Sequence, residues 1–193
     1  MKNFIYAVLF TLIFSQAAVA DDKKDAEEVL KGKLEQVISV LEKKELNEEI
    51  KKKKIVGIVT PMFNFSLMSK LTLGKKHWPG FTKEQKERFT ELFTKRLKDS
   101  YLDKMLLYTD EKIEYKASVQ VGKKVHIPTL LKSKDNKISM LYKLYKSKKG
   151  WRIYDIEIQG VSLISTYRSQ FDEILRKKTI DDLLAKLEKP ENK

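Results

Sequence analysis

The sequence predicts an α+β fold, a curved four-stranded antiparallel sheet with helices before and after it. Three observations carry this. Apolar residues recur at helical spacing from Leu30 to Met105, switch to strict alternation at Ile113, and return to helical spacing after Gly160. A curved antiparallel sheet with helices folded over one face forms a pocket readily.

Residues 1–20 read as an export signal preceding one domain, 21–193. Met1-Lys2-Asn3 is a short basic start, Phe4 to Phe14 is uncharged and mostly apolar, and Ala18-Val19-Ala20 supplies the small residues that signal peptidase needs. The apolar run falls short of the roughly 20 residues that span a bilayer. No cysteine follows the expected cleavage site before Asp21, so a lipoprotein anchor is not expected.

Beyond that point Leu30, Leu34, Val37, Ile38 and Leu41 mark a first helix. Ile50, Ile55, Ile58, Val59, Met62 and Phe63 predict a second, running toward Pro61, and Phe65, Met68 and Leu71 a short third that Gly74 closes. Lys75–Phe81 reads as a loop. Thr82 and Gln85 form a capping box, opening a long helix whose stripe holds Phe89, Leu92, Phe93, Leu97, Tyr101 and Met105.

Ile113, Tyr115, Ala117, Val119 and Val121 then alternate with polar residues, as in a strand with one buried and one wet face. Val125, Ile127 and Leu131 predict a second strand, Ile138, Met140, Tyr142 and Leu144 a third, and Trp151 to Ile158 a fourth. Ser162 caps a helix carrying Ile164, Tyr167, Phe171, Ile174 and Leu175. Thr179 with Asp182 opens a last one through Leu183, Leu184 and Leu187. No linker or internal repeat divides the chain, and nothing in it demands more than a monomer.

Forty basic residues against 27 acidic ones give a formal charge of +13, or +12 once Lys2 leaves with residues 1–20. An exported basic chain is expected to face anionic phospholipid surfaces or acidic partners and not nucleic acid, or simply to carry its dispersed lysines over a solvated surface. The absence of cysteine removes thiol chemistry, disulfides and Cys-based metal sites. An apolar core alone must hold the fold, which is feasible because a domain of about 150 residues buries close to 70% of its unfolded surface.

Groups for catalysis are scarce. The two histidines, His77 and His126, have no accompanying metal-ligand motif, and no cofactor or metal is expected. Gly160-Val161-Ser162 begins like a nucleophile elbow, but Ile164 stands where the closing glycine belongs, and a capping role explains Ser162 more simply. Asp155 interrupts an apolar strand. It reads as a general base, as half of an ion pair, for example with Arg152 or Arg168, or as a solvent-facing position in the alternation.

One block is distinctive. Trp151-Arg152-Ile153-Tyr154-Asp155 runs through Gly160-Val161-Ser162-Leu163 to Tyr167-Arg168-Ser169-Gln170-Phe171, followed by a Leu-rich end. With Leu73-Gly74, Trp78, Phe81–Gln85, Phe89 and Tyr101-Leu102 ahead of it, the chain resembles the MlaC family, also called toluene-tolerance auxiliary proteins. Gln159, Thr166 and Asn64 depart from the Glu, Asn and Asp common there.

The resemblance implies a soluble periplasmic shuttle of Gram-negative bacteria without enzymatic activity. Such shuttles carry phospholipid between an outer-membrane lipoprotein–porin assembly and an inner-membrane MCE-domain ring on an ABC transporter, and so maintain outer-membrane lipid asymmetry. It also implies a nuclear-transport-factor-like cone with extra helices, acyl chains inside and head group near the mouth.

The residues expected to line such a cavity are Phe93, Leu97, Tyr101, Val119, Val121, Met140, Tyr142, Leu144, Ile156, Tyr167 and Phe171. Met and aromatic side chains suit a cavity that accepts varied chains. Lys75 and Lys76 are candidates for an anionic head group. Two other readings stay open: an enzyme using Asp155 as base, and an envelope adaptor with a solid interior.

Overall fold

Every α-helix after the first, among the described residues, starts on a side chain that caps it. Asn47 accepts from the Ile50 amide at 2.9 Å and opens α2 (Glu48–Val59); Asn64 does the same for Leu67 at 2.9 Å and opens α3 (Phe65–His77). Thr82 and Gln85 exchange hydrogen bonds of 3.2 and 3.1 Å ahead of α4 (Lys83–Leu106). Ser162 caps α5 (Leu163–Lys177), and Thr179 with Asp182 forms a capping box on α6 (Ile180–Glu188). The first helix, α1, spans Asn3–Leu41. The computed structural model describes residues 3–106, 112–132 and 137–190. No helix among the described residues is long and apolar enough to cross a membrane.

The segment expected to be a loop, Lys75–Phe81, is instead largely helical. At Gly74 the backbone kinks to φ 63, ψ −173, a left-handed conformation open to glycine. Helical geometry then resumes through His77, and Trp78–Gly80 makes a 3-10 turn with Pro79 near its start. Arg168 of α5 donates twice to the Leu71 carbonyl, at 2.9 and 2.6 Å, and pins α5 beside the kink.

The sheet has six strands where four are predicted: β1 (Lys112–Tyr115), β2 (Val119–Val121), β3 (Lys124–Lys132), β4 (Lys137–Ser147), β5 (Gly150–Ile158) and β6 (Val161–Ser162). All pair antiparallel in the order β1-β3-β4-β5-β6, with β2 also on β3. One extra strand comes from a break in the first predicted strand, the other from the two-residue β6.

The break has a consequence for side-chain direction. Tyr115 pairs with Thr129 and Val119 with His126, so four steps on one strand match three on the other. That inserted residue is a β-bulge, and it swaps the two faces beyond it. Ser118 is buried and donates to Glu27 of α1, while Val119 and Val121 turn outward at 55% and 45% exposure. A second bulge lies in β5. Lys143 pairs with Asp155 and Leu144 with Ile153, which leaves Tyr154 as the extra residue. It puts Trp151, Ile153, Ile156 and Ile158 on one face although their numbering changes parity.

Three apolar cores hold these elements, the smallest of them Val37, Val40, Leu41 and Ile55 between α1 and α2. Ala26, Leu30 and Leu34 of α1 pack on the inner sheet face against Val125, Ile127, Leu144 and Ile153. A second, aromatic core joins α3, α4, α5 and α6. Phe89 and Phe93 stack with ring centres 5.8 Å apart, and both meet Phe171 edge-on at 5.4 and 5.9 Å.

Candidate binding cavity

Between these cores the side chains do not fill the interior. A cavity of about 350 Å³ remains, within the roughly 300–1,000 Å³ range of ligand sites. Its floor is the inner sheet face: Ile113 of β1, Thr129 and Leu131 of β3, Ile138, Met140 and Tyr142 of β4, and Ile153, Ile156 and Ile158 of β5. The bulge at Tyr154 is what brings the last three onto one surface. The walls are helical. Leu34, Val37, Ile38 and Leu41 form one stripe of α1, Val56 and Val59 come from α2, and Met62, Phe63, Phe65 and Met68 from the turn into α3. Leu97, Lys98 and Tyr101 of α4 and Leu163 complete the lining.

Hydrocarbon dominates this surface. The Tyr142 hydroxyl points to the Met140 sulfur at 3.5 Å, and burial raises its phenol above the ordinary value, so it stays protonated. An apolar hollow of this kind stays dry and favours an apolar guest over water.

The expected lining residues divide into four groups. Leu97, Tyr101, Met140, Tyr142 and Ile156 come together around the cavity. Phe93, Tyr167 and Phe171 do not; they are locked in the aromatic core, with Phe93 and Tyr167 rings edge-on at 5.1 Å. Leu144, 2% exposed, packs beneath α1 in the sheet core beside a smaller hollow shared with Leu30 and Trp151. Val119 and Val121 face outward because of the first bulge. Lys75 and Lys76 lie past the Gly74 kink and are not part of the lining. Lys76 pairs with Asp172 at 2.6 Å.

Sequence reading missed the α1 and α2 walls, although the Leu34-Val37-Ile38-Leu41 stripe was visible as a helix face. It also missed Ile138 and Ile158, which stand two residues from Met140 and Ile156 on the same rows.

The suggested catalytic groups lie elsewhere. Asp155 is 5% exposed, on the sheet face opposite the cavity-lining Ile156. Its carboxylate accepts from Lys143 Nζ at 3.0 Å, from Ser162 Oγ at 2.8 Å and from the Ile164 amide at 3.2 Å. The pairing partner is therefore Lys143 from the neighbouring strand, not Arg152 or Arg168. Burial opposes the Lys143 charge, but hydrogen bonds to Glu157 and Asp155 outweigh it and hold the ammonium above its ordinary pKa. Asp155 thus ties β4, β5 and the first turn of α5 together.

Asp155→Asn keeps the shape but loses the charge pair. It is expected to lower stability by about 2 kcal/mol in urea unfolding and to leave cavity binding intact. Abolished binding in a folded variant would reverse this assignment. His77 sits 2.8 Å from Asp172, and His126 3.0 Å from the Tyr154 hydroxyl. Among the described residues no group of three or more His, Asp or Glu side chains is arranged to hold a metal.

Comparison with known proteins places this architecture. The MlaC protein family matches residues 31–189, from the α1 wall to the end of α6. The chain belongs to the MlaC family. A curated relative is the intermembrane phospholipid transport system binding protein MlaC of Haemophilus influenzae. It is 24% identical over 134 residues, which cover 66% of this chain and 62% of that protein. The match thus spans under two thirds of the relative's length. Among solved structures, the phospholipid-binding protein from Ralstonia solanacearum in complex with a phospholipid superposes with a TM-score of 0.75 at 21% identity. The match covers 85% of this chain and 95% of that one. The α+β MlaC-type fold is therefore shared.

Proposed function

We propose that this protein binds phospholipid in the apolar cavity and carries it, doing no chemistry on it. The observation that carries the reading is the cavity of about 350 Å³ walled almost wholly by hydrocarbon side chains. Burying a methylene is worth about 0.8 kcal/mol, so two acyl chains in water cost on the order of 20 kcal/mol. A lipid therefore crosses an aqueous gap slowly unless its chains are enclosed.

Residues 1–20 act as a cleaved export signal in this reading, and residues 21–193 work as a monomer in the periplasm of a Gram-negative bacterium. The carrier moves lipid between an outer-membrane lipoprotein–porin assembly and an inner-membrane MCE-domain ring of an ABC transporter, and so maintains outer-membrane lipid asymmetry. Membership of the MlaC family and the phospholipid-bound structural relative support this.

The test is direct. The mature protein is purified from periplasm without detergent, extracted with organic solvent, and its lipid measured by mass spectrometry. Near-stoichiometric phospholipid is the expected result. A stably folded, lipid-free protein that also fails to take lipid from vesicles would overturn the proposal.

A further inference from the structure

Lys98 is the one charged side chain among the residues lining the cavity. It stands between the lining residues Leu97 and Tyr101 on α4 and is partly buried. The ammonium stands 5.6 Å from the centre of the Phe65 ring, which is itself stacked on Phe63 at 5.4 Å. That cation–π contact holds the charge at the cavity without neutralising it. Several other lysines are paired, Lys76 with Asp172, Lys95 with Asp99 and Lys143 with Asp155. Among the described residues no carboxylate pairs with Lys98.

One end of the sheet also carries a row of lysines. Lys112, Lys132 and Lys137 are register partners across β1, β3 and β4. Their row lies one residue beyond the row of Ile113, Leu131 and Ile138, which lines the cavity. Like charges set directly opposite cost stability. Here Glu114 offsets part of the cost by pairing with Lys132. Alternation along each strand turns these lysines to the sheet face opposite the lining, so Lys98 is the cation that the cavity surface itself carries.

We infer that Lys98 is the head-group contact of this cavity, binding the phosphate of an anionic phospholipid whose chains lie inside. The inference rests on the carrier reading. It assigns to Lys98 the role that sequence reading gave to Lys75 and Lys76.

The experiment measures capture from phosphatidylcholine vesicles doped with either phosphatidylglycerol or diacylglycerol, by the delipidated full mature chain. Lys98→Gln is expected to weaken phosphatidylglycerol capture roughly tenfold, the worth of one charge-assisted hydrogen bond. Diacylglycerol capture stays unchanged, since it has no phosphate. Lys98→Arg restores binding, and Lys75→Gln has no effect. Melting temperature serves as the folding control. Wild-type capture of both lipids with Lys98→Gln indistinguishable from it would overturn the Lys98 assignment alone. Competition by millimolar inorganic phosphate would also overturn it, because the site would then recognise free phosphate and not a head group. Wild type that captures neither lipid would sink the carrier reading and this inference together.

Discussion

Met140→Trp combined with Ile156→Trp is expected to empty the protein of lipid without unfolding it. Both side chains project from the sheet floor into the cavity, from β4 and β5 respectively. Enlarging a residue in a filled core forces strain worth about 1–3 kcal/mol. Here the added rings enter free volume, so the melting temperature should hold or rise slightly. The space they take is space for acyl chain. At about 0.8 kcal/mol for each methylene kept out, losing three or four of them weakens capture roughly 100-fold. Mass spectrometry of extracted lipid and a thermal melt on the same sample check both halves. Unchanged lipid content, or a melt lowered as by overpacking, would mean that the hollow is not the binding site.

Phe93→Ala is expected to do the reverse. Phe93 is fully buried and touches the rings of Phe89, Tyr167 and Phe171. Removing a ring from such a cluster costs about 3–5 kcal/mol. In a domain of this size the melting temperature should fall by roughly 10 °C. Below the melt, lipid should still be captured, because Phe93 and its ring partners are not among the lining residues. Urea unfolding and vesicle capture at low temperature check the prediction. A stable variant that has lost its lipid would instead put Phe93 back among the cavity residues.

Much of the fold was legible because it is local. Thr82, Ser162 and Thr179 were readable as caps, since a hydroxyl three residues from an amide is a short-range signal. The β4 row of Ile138, Met140, Tyr142 and Leu144 follows from alternation alone. What failed is what alternation hides. One inserted residue between Tyr115 and Val119 reverses the faces, yet Ala117, Val119 and Val121 continue the pattern as though nothing had happened.

The α4 stripe shows a second limit. Phe93 and Leu97 are four residues apart on the same helix face, about 6 Å along the axis. Periodicity finds that face but not where along it the aromatic core stops and the cavity begins. Lys98 was hidden for another reason. In a chain so rich in lysine, no local feature separates one ammonium left at a cavity from the many on open surface.

That the rings of Phe89, Phe93 and Phe171 stand off the cavity lining bears on how such a protein diverges. Lining positions such as Met140, Ile138 and Val56 have empty space on one side. Exchanges there among aliphatic residues reshape the guest that fits while leaving the Phe89–Phe93–Phe171 cluster untouched. A lineage can therefore retune its cargo to a changed membrane composition by single neutral steps, with no compensating change needed elsewhere in the chain.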